Sequence, residues 1–216
     1  LAHDIEPVIT ISHYELPLNL AKRYGGWKNH YLIEFYENFA RTVLTRYAAK
    51  VKYWMTFNEI NSAAHFPVMS QGLVPSTGAD DKKNIFQAWH NHFVASAKAV
   101  KIGHEVRADI QVGCMILYAT SYAYDSNPVN QLANLQHNQD FNFFCADVQV
   151  RGEYPAYTKR LLAENGFTFE DLETTDGELA LLKQYPVDYI GFSYYMSSAV
   201  ETTGSVTDTV AGNLMG

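Results

Sequence analysis

The sequence has 216 residues, of which 47% are hydrophobic and 18% are charged. This is the composition of a globular protein rather than a disordered one. The formal net charge is −7 and no basic run is present, so we expect neither a nucleic-acid partner nor an anionic membrane surface. No apolar stretch approaches about 18 residues and no signal-peptide pattern is present, so nothing predicts a membrane span or secretion.

Strands and helices are predicted to alternate along the chain. The predicted strands are Pro7–Ile11, Val51–Phe57, Ile110–Leu117 and Val187–Tyr194. The predicted helices are Tyr31–Tyr47, Asn84–Val106, Asn130–Val150 and Ala156–Asn165. A loop with Gly72, Pro75 and Gly78 precedes the second helix, and the last dozen residues or so have a loop-like composition.

Two of the helices carry apolar residues at helical spacing. In the first helix these residues, which the spacing places on one face, are Phe35, Phe39, Val43 and Leu44. In the second helix they are Phe86, Trp89, Phe93, Ala97 and Val100. A repeat near 3.6 residues is typical of a helix that packs one side against a core.

The order strand, loop, helix predicts a parallel sheet with helices outside it. An open doubly wound sheet and part of a (β/α)8 barrel both fit this order. No Gly-x-Gly-x-x-Gly follows any strand, which disfavours the dinucleotide-binding form of the open sheet. Polar residues instead follow the strands, at His13, Asn58, Glu59 and Tyr195. Barrel enzymes keep their chemistry at the carboxyl ends of the strands, and a whole barrel needs roughly 250 residues, so we expect about half a barrel.

Both ends of the sequence predict an internal fragment. The chain opens at Leu1 rather than Met and closes at Gly216 after a Thr-, Gly- and Ser-rich stretch. We therefore expect residues 1–216 to form a single partial barrel domain of a longer protein. The two cysteines, Cys114 and Cys145, lack any CxxC partner, which favours a reduced, cytoplasmic protein.

The segment Trp54–Glu59 (WMTFNE) is the strongest local feature. It brings a carboxylate to the end of a strand, beside an amide that suits a sugar hydroxyl. Glycoside cleavage requires a carboxylic acid near the leaving oxygen and a second carboxylate across the sugar ring. An acid that works at neutral pH needs a raised pKa, which partial burial and a neighbouring carboxylate both favour. Taken alone, the pair Asn58 and Glu59 fits a cap of the next helix as well as a catalytic site.

Other polar and aromatic residues are weaker candidates. His13 ends the first strand and could bind a substrate hydroxyl, while Tyr14, Trp27 and Tyr195 could form apolar walls for a sugar. His90 and His92 are two positions apart on a helix, so they point to different faces and do not share a ligand. The histidines have no metal-ligand spacing and no serine elbow is visible, so we expect no metal or cofactor.

Taken together, these segments resemble the β-glucosidase family of glycoside hydrolases, family 1, whose members are retaining (β/α)8 barrels. Ile5–Pro17 (IEPVITISHYELP) is similar to the family's third strand and following loop, and Gly25–Trp27 to the next turn. Thr56–Glu59 is similar to the fourth-strand signature, which is the most specific piece. Gly152–Pro155 (GEYP) resembles the element before the sixth strand, and Asp188–Tyr195 (DYIGFSYY) resembles that strand.

The resemblance implies roles at the matching positions. Glu59 would be the general acid and then the general base, Asn58 would bind the sugar 2-hydroxyl and His13 another hydroxyl of the same sugar. Tyr195 completes the substrate-binding set as a hydrogen-bond partner of the nucleophilic carboxylate. The versions His-Tyr-Glu-Leu-Pro and Gly-Phe-Ser-Tyr-Tyr-Met-Ser in this chain resemble the bacterial 6-phospho-β-glucosidase branch.

The family's second catalytic glutamate and the 6-phosphate site lie beyond Gly216 in that comparison. Glu164–Gly166 spells the nucleophile's Glu-Asn-Gly motif. It precedes the sixth strand, however, at the end of a predicted helix where Asn-Gly is a common cap. We therefore expect Glu164 on the surface and a chain that is inactive alone.

Several alternatives stay open at this point. The full protein could be a β-glucosidase or β-galactosidase without phosphate specificity, or a non-catalytic sugar-binding barrel. A redox barrel that binds a nicotinamide would need a cofactor that nothing in the sequence requires. Because a half barrel would expose apolar strand edges, we also expect self-association of a chain made at this length.

Overall fold

The computed structural model describes residues 3–74 and 81–202. Within these ranges four strands form one parallel sheet in chain order: β1 Val8–Ser12, β2 Tyr53–Phe57, β3 Gln111–Ala123 and β4 Ile190–Val200. The loop positions Pro75 and Gly78 and the loop-like end of the chain lie outside the described residues. No described helix is both long and apolar enough to cross a membrane.

Eight α-helices lie between the strands of the described chain. They are α1 Leu18–Tyr24, α2 Tyr31–Tyr47, α3 Pro67–Gln71, α4 Lys82–Val106, α5 Pro128–His137, α6 Phe144–Arg151, α7 Thr158–Glu164 and α8 Glu178–Gln184. The four predicted helices are confirmed, although the predicted Asn130–Val150 helix is α5 and α6 joined by a π-helical segment, Asn138–Phe143. The short helices α1, α3 and α8 were not predicted.

The sheet register places the carboxyl ends of the strands at one edge. Val8 pairs with Tyr53, Tyr53 pairs with Gln111, and Cys114 pairs with Ile190, all in parallel. The predicted parallel order is therefore confirmed for the four described strands, and the residues that follow β1 and β2 become neighbours.

Strands β3 and β4 extend further than the sequence predicts, to Ala123 and Val200. Their pairing continues past a register shift between Tyr118 and Ala119. Tyr195 is the extra residue on β4, because Tyr194 pairs with Tyr118 and Met196 pairs with Ala119. On β3, the Asn142 side chain binds the Ala119 backbone: its Oδ1 accepts from the Ala119 N–H (3.1 Å) and its Nδ2 donates to the Ala119 carbonyl (2.9 Å).

The buried side of α2 differs from the prediction. The buried residues are Leu32, Ile33, Tyr36, Ala40 and Leu44. Phe35 and Phe39, expected on the packed face, are 36% and 48% exposed, so the prediction was wrong for these two. The Tyr36 hydroxyl donates to the Thr56 carbonyl of β2 (2.7 Å). The face of the helix that carries Tyr36 is therefore the one that lies against the sheet.

Helix α4 lies at the centre of the helical layer, where its predicted apolar face is confirmed as buried. It also buries polar side chains that bind residues near the carboxyl edge of the sheet. Trp89 donates its indole N–H to the Ile60 carbonyl (2.7 Å), and the Ser96 hydroxyl donates to Thr56 Oγ1 (3.0 Å). The core therefore supports the backbone on both sides of Asn58 and Glu59.

Candidate active site

Glu59 lies two residues beyond the end of β2, in a left-handed backbone conformation with φ +45° and ψ +48°. Its N–H donates to the Met115 carbonyl of β3 (2.9 Å). A short 3-10 segment, Ile60–Ala64, begins directly after it, but the Glu59 side chain makes no capping hydrogen bond there. Glu59 therefore occupies the cap position of this segment, but its side chain does not act as the cap.

The Glu59 carboxylate accepts one hydrogen bond at each oxygen. The Tyr14 hydroxyl donates to Oε2 (2.9 Å) and the Tyr195 hydroxyl donates to Oε1 (3.0 Å). Glu59 is only 3% exposed. The tyrosines come from the loop after β1 and from β4, so three elements meet at one buried carboxylate.

Both phenols are held in their neutral, donating form. Burial raises the pKa of Tyr14 well above its usual value, and the nearby Glu59 carboxylate raises it further against a lowering by Ser62. Burial also raises the pKa of Tyr195, followed by the hydrogen bond to Glu59 and its charge. At neutral pH each tyrosine is consequently a donor to the carboxylate.

Asn58 directly precedes Glu59 in the chain, and His13 directly precedes Tyr14. Asn58 is buried, and its N–H donates to the Ser12 carbonyl at the end of β1 (3.0 Å). His13 is exposed, its N–H donates to the Glu15 carboxylate, and its ring packs edge-on against Tyr14 with centroids 5.4 Å apart. Their roles toward a sugar stay predictions, as does the contact of Tyr195 with a nucleophile.

Trp27 is a core residue, so the expectation that it forms a wall of the site is wrong. It is 4% exposed and packs against Phe57 and stacks on His92, with ring centroids 5.2 and 4.2 Å apart. The preceding Gly26 has φ +74°, and a Cβ there would lie 2.5 Å from two backbone carbonyl oxygens. The turn therefore requires glycine and directs Trp27 into the core.

Two residues of the site were not found by sequence reasoning. Asn61 bonds the backbone of Leu117, donating to its carbonyl (2.7 Å) and accepting from its N–H (2.9 Å). The Ser62 hydroxyl lies 3.3 Å from the Tyr14 hydroxyl. The sequence signal for Asn61 and Ser62 was their position shortly after Glu59. Polar residues that are buried there need hydrogen-bond partners.

His90 and His92 have separate partners, which confirms that they do not share a ligand. His90 lies 2.8 Å from the Tyr154 hydroxyl and 3.0 Å from Glu178, whereas His92 Nδ1 lies 2.8 Å from the Ala88 carbonyl. Burial lowers the pKa of His92 to about 3, so it is neutral. In the described part of the chain, no three histidine, cysteine or acidic side chains are grouped as metal ligands.

The surface position predicted for Glu164 is confirmed. It is the last residue of α7 and pairs with Arg160 at 2.6 Å, with 53% of its side chain exposed. Gly166 follows at φ +86°. The Glu-Asn-Gly letters therefore mark a helix end.

Comparison with known proteins found a matching family and related sequences. The sequence model described as glycosyl hydrolase family 1 matches residues 1–212. The aryl-phospho-β-D-glucosidase BglH of Bacillus subtilis is 51% identical over 100% of this chain and 45% of its own length. The 6-phospho-β-glucosidase of Clostridium longisporum is 46% identical over 99% and 44%, respectively.

Solved structures agree with the partial-barrel fold. The AHE enzyme of Alicyclobacillus herbarius has a TM-score of 0.78 at 24% identity, covering 95% of this chain and 45% of that chain. A double mutant of the β-glucosidase of Trichoderma harzianum has a TM-score of 0.74 at 28% identity, covering 94% and 43%. The α/β fold class, a partial (β/α)8 barrel, is thereby confirmed.

The chain spans about half the length of the curated relatives it matches. The match to the family covers Tyr14 after β1, Glu59 after β2 and Tyr195 within β4, in the order that the motifs predict. This chain therefore belongs to glycosyl hydrolase family 1.

Proposed function

We propose that the protein to which this chain belongs hydrolyses β-glucosidic bonds of 6-phospho-β-glucosides with retention of configuration, with Glu59 as the acid/base. The observation that carries the proposal is the buried carboxylate of Glu59, held at both oxygens at the carboxyl edge of a parallel sheet. The phosphorylated substrate class is supported by the names of the two relatives above, which are phospho-β-glucosidases at 51% and 46% identity.

In this mechanism Glu59 acts twice. Protonated Glu59 gives its proton to the glycosidic oxygen as that bond breaks, and a second carboxylate attacks the anomeric carbon. The ionised Glu59 then removes a proton from water, which displaces the enzyme from the sugar. Retaining enzymes place the two carboxyl groups about 5–5.5 Å apart. The second carboxylate would come from outside the described part of this chain.

Three neighbours would hold the sugar and the nucleophile. Asn58, beside Glu59, would donate to the 2-hydroxyl, where a hydrogen bond strengthens in the transition state. His13, exposed at the end of β1, is free to approach another hydroxyl of the same sugar. Tyr195 would exchange its bond with Glu59 for one with the nucleophilic carboxylate, helping to keep that group ionised.

The acid/base role is tested with the complete protein and two leaving groups. In Glu59→Gln, we expect kcat/KM for phenyl 6-phospho-β-glucoside to fall by about 10²–10⁴, the usual contribution of general acid catalysis. Cleavage of the dinitrophenyl analogue should fall far less, because dinitrophenolate leaves without protonation. Glu164→Gln, which changes an exposed glutamate, is the matched control and should behave as the parent.

If Glu59→Gln lowered kcat/KM equally for both substrates, the acid/base assignment would be wrong. Azide gives a second check in Glu59→Ala, since this small anion needs no base to attack the glycosyl intermediate. The expected product is a β-glycosyl azide, formed at a rate that rises with azide concentration.

The substrate class is tested by comparing nitrophenyl β-glucoside with its 6-phosphate. We expect kcat/KM to favour the phosphorylated compound by at least about 100-fold, since charge-assisted hydrogen bonds to a phosphate are strong. A preference for the neutral glucoside or galactoside would favour the plain glycosidase. Binding without hydrolysis would favour a sugar-binding barrel.

Residues 1–216 alone are expected to be inactive, because the resemblance to the family places the nucleophilic carboxylate beyond Gly216. Hydrolysis by the purified chain that Glu59→Gln abolishes would contradict this. We expect the protein in the cytoplasm. The two buried free thiols of Cys114 and Cys145 support this compartment.

A further inference from the structure

We propose that Tyr14 is a positioning residue that favours the ionised state of Glu59 and so limits how far into alkaline pH the enzyme works. This inference rests on the proposed function, because it assigns a task at the same carboxylate. The Tyr14 hydroxyl donates to Oε2 at 2.9 Å. A hydrogen bond to a carboxylate stabilises its charged form, so this contact opposes the protonation that a general acid needs.

The backbone indicates that the contact is built into the site. Three non-glycine residues of the described chain have positive φ: Asp4, Tyr14 and Glu59. Tyr14 has φ +70° and Glu59 has φ +45°, a region that side-chain-bearing residues rarely adopt. Two of the three strained residues thus share one hydrogen bond. Strain of this kind persists where the surrounding structure enforces it, which is commonly at functional sites.

The neighbours of Tyr14 keep its hydroxyl in place. Ser62 Oγ lies 3.3 Å from the phenol oxygen on the side of the 3-10 segment. The His13 ring packs edge-on against the Tyr14 ring. Half-buried between them, the phenol has little freedom to turn away from Oε2.

The other hydrogen bonds of Glu59 in the described structure involve atoms other than Oε2. Tyr195 from β4 holds the other carboxylate oxygen, and the Met115 carbonyl of β3 binds the Glu59 N–H. Beside Tyr14, the carboxylate of Glu15 is bound by the His13 N–H. Among the described residues, Tyr14 is therefore the donor to Glu59 Oε2. Replacing it with phenylalanine removes this donor by deleting a single oxygen atom.

The first experiment measures the pH dependence of kcat/KM for the complete protein. In Tyr14→Phe, which keeps the ring and removes the hydroxyl, we expect the alkaline limb to move up by about one pH unit. Tyr194→Phe is the matched control: Tyr194 is exposed on the same strand as Tyr195, and its hydroxyl bonds Ser197 at 2.7 Å. Tyr194→Phe should leave the alkaline limb of the kcat/KM profile at the pH found for the parent.

A second readout separates this inference from the proposed function. Carbon-13 NMR of labelled glutamate carboxyls follows the titration of Glu59 directly, with its signal assigned by its loss in Glu59→Gln. The midpoint should rise in Tyr14→Phe whether or not the protein hydrolyses a glycoside. An unchanged midpoint would overturn the inference, while a shifted midpoint without any hydrolysis would overturn only the proposed function.

If Tyr14→Phe fails to fold, 3-fluorotyrosine at position 14 keeps the test open. Fluorine makes the phenol a stronger donor with nearly the same shape. The expected change then has the opposite sign: the Glu59 midpoint and the alkaline limb move to lower pH by a few tenths of a unit. Movement to higher pH would contradict the proposal.

Discussion

At the scale of single residues, Glu178 joins three parts of the helical layer. Its carboxylate lies 2.7 Å from His30, which precedes α2, and 3.0 Å from His90 of α4, and it accepts from the Thr175 N–H (2.8 Å). Burial raises its pKa, but the His90 bond, the two bonds from Thr175 and the charge of His30 together lower it to about 2. Glu178 therefore ties the start of α8 to α2 and α4.

This contact predicts a specific loss of stability in acid. The pKa of Glu178 is lower in the folded chain (about 2) than its ordinary 4.5. Its contribution is therefore complete above about pH 4.5 and is lost as pH falls toward about 2, on the order of 3 kcal/mol in total. Urea unfolding of Glu178→Gln should depend less on pH across this window than unfolding of the parent. Glu164→Gln should keep the parent's dependence, and parallel curves for the parent and Glu178→Gln would contradict the prediction.

At the scale of secondary structure, Asn61 continues the sheet where β2 has ended. β2 pairs with β3 through Met55 and Gly113. Two residues further along β3, Met115 is bound by the Glu59 N–H, and two further still, Leu117 is bound by the side chain of Asn61. The Asn61 amide therefore takes the place of a strand at the same edge, and it also donates to the Phe141 carbonyl (3.1 Å) in the π-helical segment.

We expect Asn61→Ala to lower the free energy of unfolding by roughly 2–4 kcal/mol. The change leaves the buried N–H and carbonyl of Leu117 without the Asn61 partner and removes one bond to the Phe141 carbonyl, and each unpaired buried group costs about 1–3 kcal/mol. Asn165→Ala, which removes a single amide bond to the Leu161 carbonyl at the end of α7, is the control and should cost about 1 kcal/mol or less. If Asn61→Ala and Asn165→Ala lowered the free energy of unfolding equally in urea denaturation, Asn61 would not have the role of a strand beside β3.

At the scale of the whole molecule, the two outer strands of the sheet carry exposed apolar side chains. On β4, Ile190, Phe192 and Tyr194 are 43%, 61% and 59% exposed. On β1, Val8 and Ile9 are 49% and 39% exposed. In the described ranges β1 and β4 each pair with one strand only, and open apolar edges of this kind favour association.

Residues 1–216 produced alone are therefore expected to self-associate. Phe192→Lys, which places a charge on the β4 edge, should lower the molecular mass measured by light scattering. Val150→Lys changes an equally apolar exposed residue at the end of α6 (44% exposed) and should have little effect. A monomeric parent with a sharp, cooperative melt would contradict the expectation.

The sequence by itself determined the alternation of strands and helices and the position of Glu59 at a strand end. Apolar runs and the 3.6-residue repeat are local patterns, and they predicted α2 at its observed bounds, Tyr31–Tyr47. Helices α1, α3 and α8 are only 7, 5 and 7 residues long, so their apolar repeat covers at most about two turns and is a weak signal. The buried side of α2 was predicted only in part, because the Tyr36 contact with β2 chooses between neighbouring faces.

Only the tertiary structure decided what surrounds the Glu59 carboxylate. Its two phenol donors, Tyr14 and Tyr195, are 45 and 136 positions away along the chain, and no local pattern relates residues so far apart. Parallel pairing of the strands brings their carboxyl ends to one edge, and the left-handed backbone at Tyr14 and Glu59 aims the side chains at each other. The sequence shows which residue can act as an acid, whereas the sheet register decides which hydroxyls hold it.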